Sequence, residues 1–130
     1  SGIAVAAAVG LALGVPVVFA KKRRAVTQQG GLYTAEVFSF TRREPVFIAV
    51  TPKFLGPADV VLIVDDFLAH GEALKGLASI VRQAGATLAG AGIVIEKRFQ
   101  QGGAALRAEG VRIESLAVIT RMEEGVIEFG

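Results

Sequence analysis

Val61-Leu62-Ile63-Val64-Asp65-Asp66-Phe67-Leu68-Ala69-His70-Gly71-Glu72-Ala73 is the stretch on which the reading of this chain turns. It opens in a run of five consecutive aliphatic residues, Val60 to Val64, which reads as a strand. Asp65 and Asp66 close the run. Two adjacent carboxylates at a strand end can accept hydrogen bonds from a vicinal diol, such as the 2- and 3-hydroxyls of a ribose. Ala69 and Gly71 are small, so backbone N–H groups there can curl around a phosphate. A helix predicted from about Glu72 to Ala84 adds its unpaired first-turn N–H groups and the positive end of its dipole. Leu74, Leu77, Ala78, Val81 and Ala84 recur at helical spacing as its buried stripe, and Gly85 stands where a helix-ending glycine belongs. Strand, acid pair, small-residue loop and helix together describe a ligand site beyond the carboxyl end of a strand in an open α/β sheet. A magnesium phosphotransfer or receiver-type site would also place paired acids after a strand; the phosphate loop that follows at once favours a sugar phosphate.

The pattern outward from this stretch alternates in the same way. Downstream, Leu88 to Ile95 reads as a strand, Ala104 to Glu109 as a short helix ending at Gly110, Ile113 to Ile119 as a further strand, and Gly125 to Phe129 as a last edge strand. Upstream, residues 3 to 13 read as a buried small-residue helix ending near Gly14, and Val15 to Ala20 as a buried strand. Tyr33 to Phe40 and Val46 to Val50 are suited to antiparallel pairing, and Pro52 to Pro57 is a turn region. The predicted class is α/β: an open, mostly parallel sheet flanked by helices, with a flexible loop or antiparallel hairpin near 27–50. No repeat, linker or boundary interrupts it, so residues 1–130 read as a single domain.

Composition narrows the chemistry. Of 130 residues, 52% are apolar and 20% charged, which permits a substantial core and excludes a disordered tail. The chain has no Cys, which removes disulfides, thiolate metal sites and thiol nucleophiles. One His argues against a histidine zinc centre and against most Ser-His-Asp schemes. A net charge of +2 makes no demand for a nucleic-acid partner. Residues 1–20 carry no charge and run into Lys21, Lys22, Arg23 and Arg24, as a membrane span with a positive flank would. Ala and Gly dominate that stretch, however, and Gly14 and Pro16 divide it, so a helix and a strand are expected and no membrane partner. Its basic residues follow the apolar run, the reverse of a signal peptide. A cytoplasmic location is expected.

Segment 61–73 resembles the binding signature for 5-phosphoribosyl-1-pyrophosphate (PRPP) found in type I phosphoribosyltransferases. Gly14 to Lys22 is similar to the strand and basic pair of their purine-using members. Phe67 to Gly71, Gln83 to Ala86, Gly92 to Lys97, Glu114 to Ala117 and Glu123 to Gly125 resemble the xanthine-using branch. The resemblance spans nearly the whole chain. It implies transfer of the phosphoribosyl group of PRPP to a 6-oxo purine, most simply xanthine, giving xanthosine monophosphate (XMP) and pyrophosphate. It implies magnesium as cofactor, carried with PRPP, and a homodimer. Two departures stand out. The family usually has Asn where this chain has His70. Its members also carry an N-terminal segment, with the first core strand and a hood over the base, ahead of the pyrophosphate loop that Ser1-Gly2 resembles; the resemblance therefore implies a core lacking that segment.

The residue roles follow from the resemblance and the local chemistry together. Asp65 and Asp66 are expected to hold the ribose hydroxyls and to stabilise positive charge as the glycosidic bond breaks, with no covalent intermediate. Ala69, His70, Gly71, Glu72 and Ala73 are expected to cradle the 5-phosphate, mostly by backbone. His70 reads as a polar loop residue rather than a general base. Ser1 and Gly2 are assigned to the pyrophosphate loop. Lys21 and Lys22 match a basic pair that contacts pyrophosphate, in some relatives across a dimer interface, against the alternative of a solvated charged turn. Lys97, following a buried strand, is expected to donate to the purine 6-oxo group, and Phe99 either to stack near the base or to enter the core. Thr27 to Gly31 reads as part of a mobile loop over the active site. Two other functions fit the same motif: a phosphoribosyltransferase for another purine (guanine, hypoxanthine or adenine), and a non-enzymatic, PRPP-sensing regulator of purine genes.

Overall fold

In a computed structural model, residues 2–23 and 31–130 are described. The expectations for Ser1, for Arg24 and for loop residues 27–30 fall outside them. The elements, in order, are α1 (Gly2–Leu13), β1 (Lys21–Arg23), β2 (Tyr33–Ser39), β3 (Glu44–Val50), a 3-10 turn (Pro52–Phe54), β4 (Val60–Leu68), α2 (Glu72–Gln83), β5 (Thr87–Lys97), α3 (Gly102–Ala108), β6 (Ile113–Glu123) and β7 (Val126–Phe129). The chain contributes to two compact units, one comprising 1–17, 62–71 and 89–130, the other 18–61 and 72–88.

The first unit holds a four-stranded sheet in the order β4-β5-β6-β7. β5 and β6 run parallel, with Ile93 opposite Ser115 and Lys97 opposite Ile119, and β7 closes the edge antiparallel to β6. Ile63, Leu68, Ala91, Ile93, Ile113 and Ile119 are its buried apolar residues on the strands, and Leu106 seats α3 with no exposed surface. This is the α/β class read from the sequence.

The second unit holds a three-stranded antiparallel sheet, β1-β3-β2. The expected hairpin is present: Tyr33, Ala35 and Val37 pair with Val50, Ile48 and Val46. Its tip uses Arg43 at φ 53°, the left-handed conformation that lets a short hairpin loop close. α2 lies on this sheet with Leu74, Gly76, Ala78, Ile80 and Val81 buried. Val37, Ile48, Val50, Leu55, Ile80 and Ala84 form the core. A Cβ on Gly76 would come within 2.7 Å of the Val37 side chain, so the glycine permits close helix–sheet approach despite its poor helix propensity. The helix ends as its sequence predicts: Gly85, at φ 72°, donates to the Arg82 carbonyl and Ala86 to that of Val81.

Three expectations are corrected. Val15 to Ala20 forms no strand; β1 starts only at Lys21 and pairs with β3. Pro16 has no N–H to donate to a ladder, and Val15, Val18 and Phe19 are exposed. The expected helix at 3–13 is present as α1, but it is not buried: Gly10 alone is, and Leu11 is 86% exposed. Apolar residues surround that helix on every side, so its sequence marks no preferred face for burial. Finally, the acids do not lie beyond their strand. β4 runs on through Asp65 and Asp66 to Leu68, whose side chain is buried and anchors the extra residues.

Candidate active site

The first unit brings together Gly2, Asp65, Asp66, Ala69, His70, Gly71 and Lys97. Asp65 is half-buried within β4, three residues before its end, and its Oδ1 accepts a hydrogen bond from the Asp66 N–H at 2.9 Å. Asp66 Oδ1 accepts in turn from the Phe67 N–H at 2.9 Å. Gly2, at the start of α1, lies so close that a Cβ there would stand 2.6 Å from Asp65 Oδ1. The acid pair and the first turn of α1 thus share one location. Burial pushes the Asp65 carboxyl up to about 6, and the charge of Asp66 beside it acts in the same direction.

The loop after β4 is shaped by two glycines. Gly71 has φ 83°, a left-handed conformation that residues with a Cβ rarely adopt. Across from it lies Gly102, the first residue of α3, whose N–H donates to the Ala69 carbonyl at 3.1 Å. A Cβ on Gly102 would fall 2.5 Å from both the Ala69 oxygen and the Gly71 nitrogen. Residues 69–71 therefore lie in close backbone contact with the start of α3. Glu72 and Ala73 continue the chain as the first two residues of α2, where a carboxylate suits the positive end of the helix dipole.

Lys97 is the last residue of β5, and its Nζ stands 5.6 Å from the centroid of the Phe67 ring, within cation–π range. Phe67 is itself exposed, so the lysine head and the aromatic face mark an open surface next to the acid pair. Phe99 is 44% exposed, which rules out the core role weighed for it. Lys21 and Lys22 belong to the second unit, on β1 with exposed side chains, where they pair with Ala49 and Ile48.

Sequence reasoning missed a polar cluster next to Lys97. Among the described residues Glu96 is the buried charged one, at 1% exposure. Arg107 of α3 binds it through both guanidinium nitrogens at 2.7 Å, and the Ser115 hydroxyl donates to Oε1 at 2.7 Å. Arg98 lies 3.7 Å away. The bidentate Arg107, against the opposing effect of burial and helped by Ser115, holds the Glu96 carboxyl down to about 2. The available signal was a lone acid closing the apolar run Ile93-Val94-Ile95. Among the described residues no group of three or more His, Asp or Glu comes together as a metal cage.

No model of a known protein family matches the chain. Among curated proteins, it is 71% identical over 129 residues to a xanthine phosphoribosyltransferase of Heliobacterium modesticaldum, covering 99% of this chain and 68% of that protein. The chain belongs to the xanthine phosphoribosyltransferase family. A second member, from Moorella thermoacetica, is 57% identical over 129 residues, covering 99% of this chain and 66% of its own length. The chain thus spans about two thirds of the length of these relatives. Among solved structures, adenine phosphoribosyltransferase from Thermoanaerobacter pseudethanolicus matches with a TM-score of 0.72 at 23% identity, covering 90% of this chain and 64% of that one. At that identity the likeness is one of fold. The Giardia lamblia enzyme, solved with 9-deazaadenine, matches with a TM-score of 0.69 at 26% identity, over 85% of this chain and 60% of that one. Among the described residues no helix is long and apolar enough to cross a membrane.

Proposed function

We propose that the protein transfers the phosphoribosyl group of PRPP to xanthine, giving XMP and pyrophosphate, in purine salvage in the cytoplasm. The observation that carries this reading is the gathering of the acid pair, the glycine loop and Lys97 on one unit of a chain from this family. In this reading the backbone of residues 69–73 cradles the 5-phosphate and the first turn of α2 adds its dipole. Asp65 and Asp66 accept hydrogen bonds from the ribose hydroxyls. As the bond to pyrophosphate breaks, positive charge grows on the ribosyl carbon, and both carboxylates stabilise it before a purine nitrogen attacks. Lys97 donates to the purine O6. Ser1 and Gly2 face the pyrophosphate, and Lys21 and Lys22 contact it as well, across a homodimer interface.

The donor set suits magnesium. The adjacent carboxylates of Asp65 and Asp66 are oxygen donors, the kind a hard cation takes, with the rest of its coordination on PRPP oxygens and water. Bound there, it would neutralise charge on the departing pyrophosphate. It would arrive with PRPP and be held through it, with Asp65 and Asp66 engaging the ribose hydroxyls beside it.

The reading is tested by incubating the protein with PRPP, magnesium and xanthine and following XMP and pyrophosphate. Equal amounts of both products are expected. A core without the hood would bind PRPP and form no product, so PRPP binding without product for any purine favours the regulator reading only when found with the full-length protein.

A further inference from the structure

α3 is placed between the two halves of the site. At its start, Gly102 donates its N–H to the Ala69 carbonyl and leaves no room for a side chain against the phosphate loop. One turn on, Arg107 is locked to Glu96 by two 2.7 Å hydrogen bonds and reaches the Ile113 carbonyl at 3.3 Å. Gly103 joins the two ends: a Cβ there would stand 2.7 Å from Glu96 Oε2. A fork of two parallel charge-assisted bonds fixes orientation as well as distance, which a single contact would not. Burying a carboxylate at 1% exposure is costly unless every lone pair is used, and here Arg107 and Ser115 use them. An apolar residue would fill that space without the cost, so the carboxylate calls for a role beyond filling it.

We propose that Glu96 is a positioning residue for PRPP: through Arg107 it fixes the setting of α3, and α3 in turn holds loop 69–71 in its phosphate-binding shape. Glu96 touches no substrate. Its neighbour Lys97 points to the other face of β5, as strand alternation requires, so the carboxylate serves the phosphate end of the site and the lysine the base end. The inference rests on the transferase reading above.

The test is steady-state kinetics and PRPP calorimetry on the protein carrying Glu96→Gln or Arg107→Lys. Each keeps a similar shape but breaks the fork, and Arg107→Lys retains the charge on a residue at the edge of the cluster, so it carries the test if Glu96→Gln does not fold. The expected result is a rise in the KM and Kd for PRPP of about tenfold to a hundredfold, with kcat and the KM for the purine changed less than about threefold. In a double-mutant cycle with Gly102→Ala, the two effects on PRPP affinity should fall well short of additive, since both act through one contact. A lowered melting temperature with unchanged PRPP affinity would overturn the inference and leave Glu96 a structural residue. Failure of the unmodified protein to bind PRPP would overturn the transferase reading, and this inference with it.

Discussion

Replacing Gly102 with alanine places a methyl group where the backbone of the phosphate loop already lies. The new Cβ falls 2.5 Å from the Ala69 oxygen and the Gly71 nitrogen, and against the His70 carbonyl carbon as well. Ordinary contact for a carbon atom is about 3.5 Å, so loop and helix must separate by about 1 Å. The obstructing atoms are backbone, and no side chain can swing aside to relieve them. Overpacking of this kind costs about 1–3 kcal/mol. If it is relieved by displacement of residues 69–71, PRPP loses a comparable amount of binding free energy, or about tenfold to a hundredfold in Kd. Gly92→Ala on β5 is the control, because nothing lies within 4 Å of its added Cβ. Calorimetric titration of both variants with PRPP at fixed magnesium decides the matter. Gly102→Ala binding PRPP as tightly as the unmodified protein would refute the claim that α3 shapes the loop.

Asp65→Asn with Asp66→Asn should leave the fold intact and weaken PRPP binding on the order of a hundredfold or more, since two charge-assisted acceptors are lost; unchanged affinity in calorimetry removes the diol-binding role. The Asp65 carboxyl, raised to about 6, binds its proton more tightly in the folded protein than in the unfolded chain. Its stabilising contribution is thus full below about 3.8 and lost as pH rises through about 6, so Asp65→Asn should melt at a higher temperature than the unmodified protein at neutral pH. PRPP needs the ionised form, so its affinity should fall as pH drops below about 6, by up to roughly tenfold per unit; a flat affinity profile between pH 7 and 5 would count against Asp65 as a ligand. Light scattering should report a homodimer, and a strictly monomeric, active protein would refute the cross-subunit role of Lys21 and Lys22.

Much of this architecture is legible in the residues because local signals and packing agree. The β2–β3 hairpin, α2 with its buried stripe and the Gly85 cap follow from periodicity and from one glycine at positive φ. The strand and helix of 61–73 could be read, and a site proposed there, because the segment is contiguous: acids, loop and helix start are successive residues. What could not be read depends on contacts distant in sequence. Glu96 meets Arg107 and Ser115 only once β5, α3 and β6 are assembled, and nothing before that assembly tells Gly102 from any other glycine. Val15 to Ala20 misled because an apolar run records hydrophobicity and not pairing. Likewise α1 carries apolar residues on all sides, which encodes a helix and leaves its burial undetermined.

Base choice tests the central claim most directly. An ammonium donates and cannot accept, so Lys97 complements the O6 of xanthine, guanine and hypoxanthine and opposes the amino group of adenine. Losing such a partner is worth about 1–3 kcal/mol, or about tenfold to a hundredfold in specificity. The measurement is kcat/KM for xanthine, guanine, hypoxanthine and adenine at saturating PRPP, for the protein with and without Lys97→Ala. Xanthine should rank first and adenine last, and the substitution should collapse the gap between the 6-oxo purines and adenine. Adenine as the best substrate, or a ranking untouched by the loss of Lys97, would contradict the account.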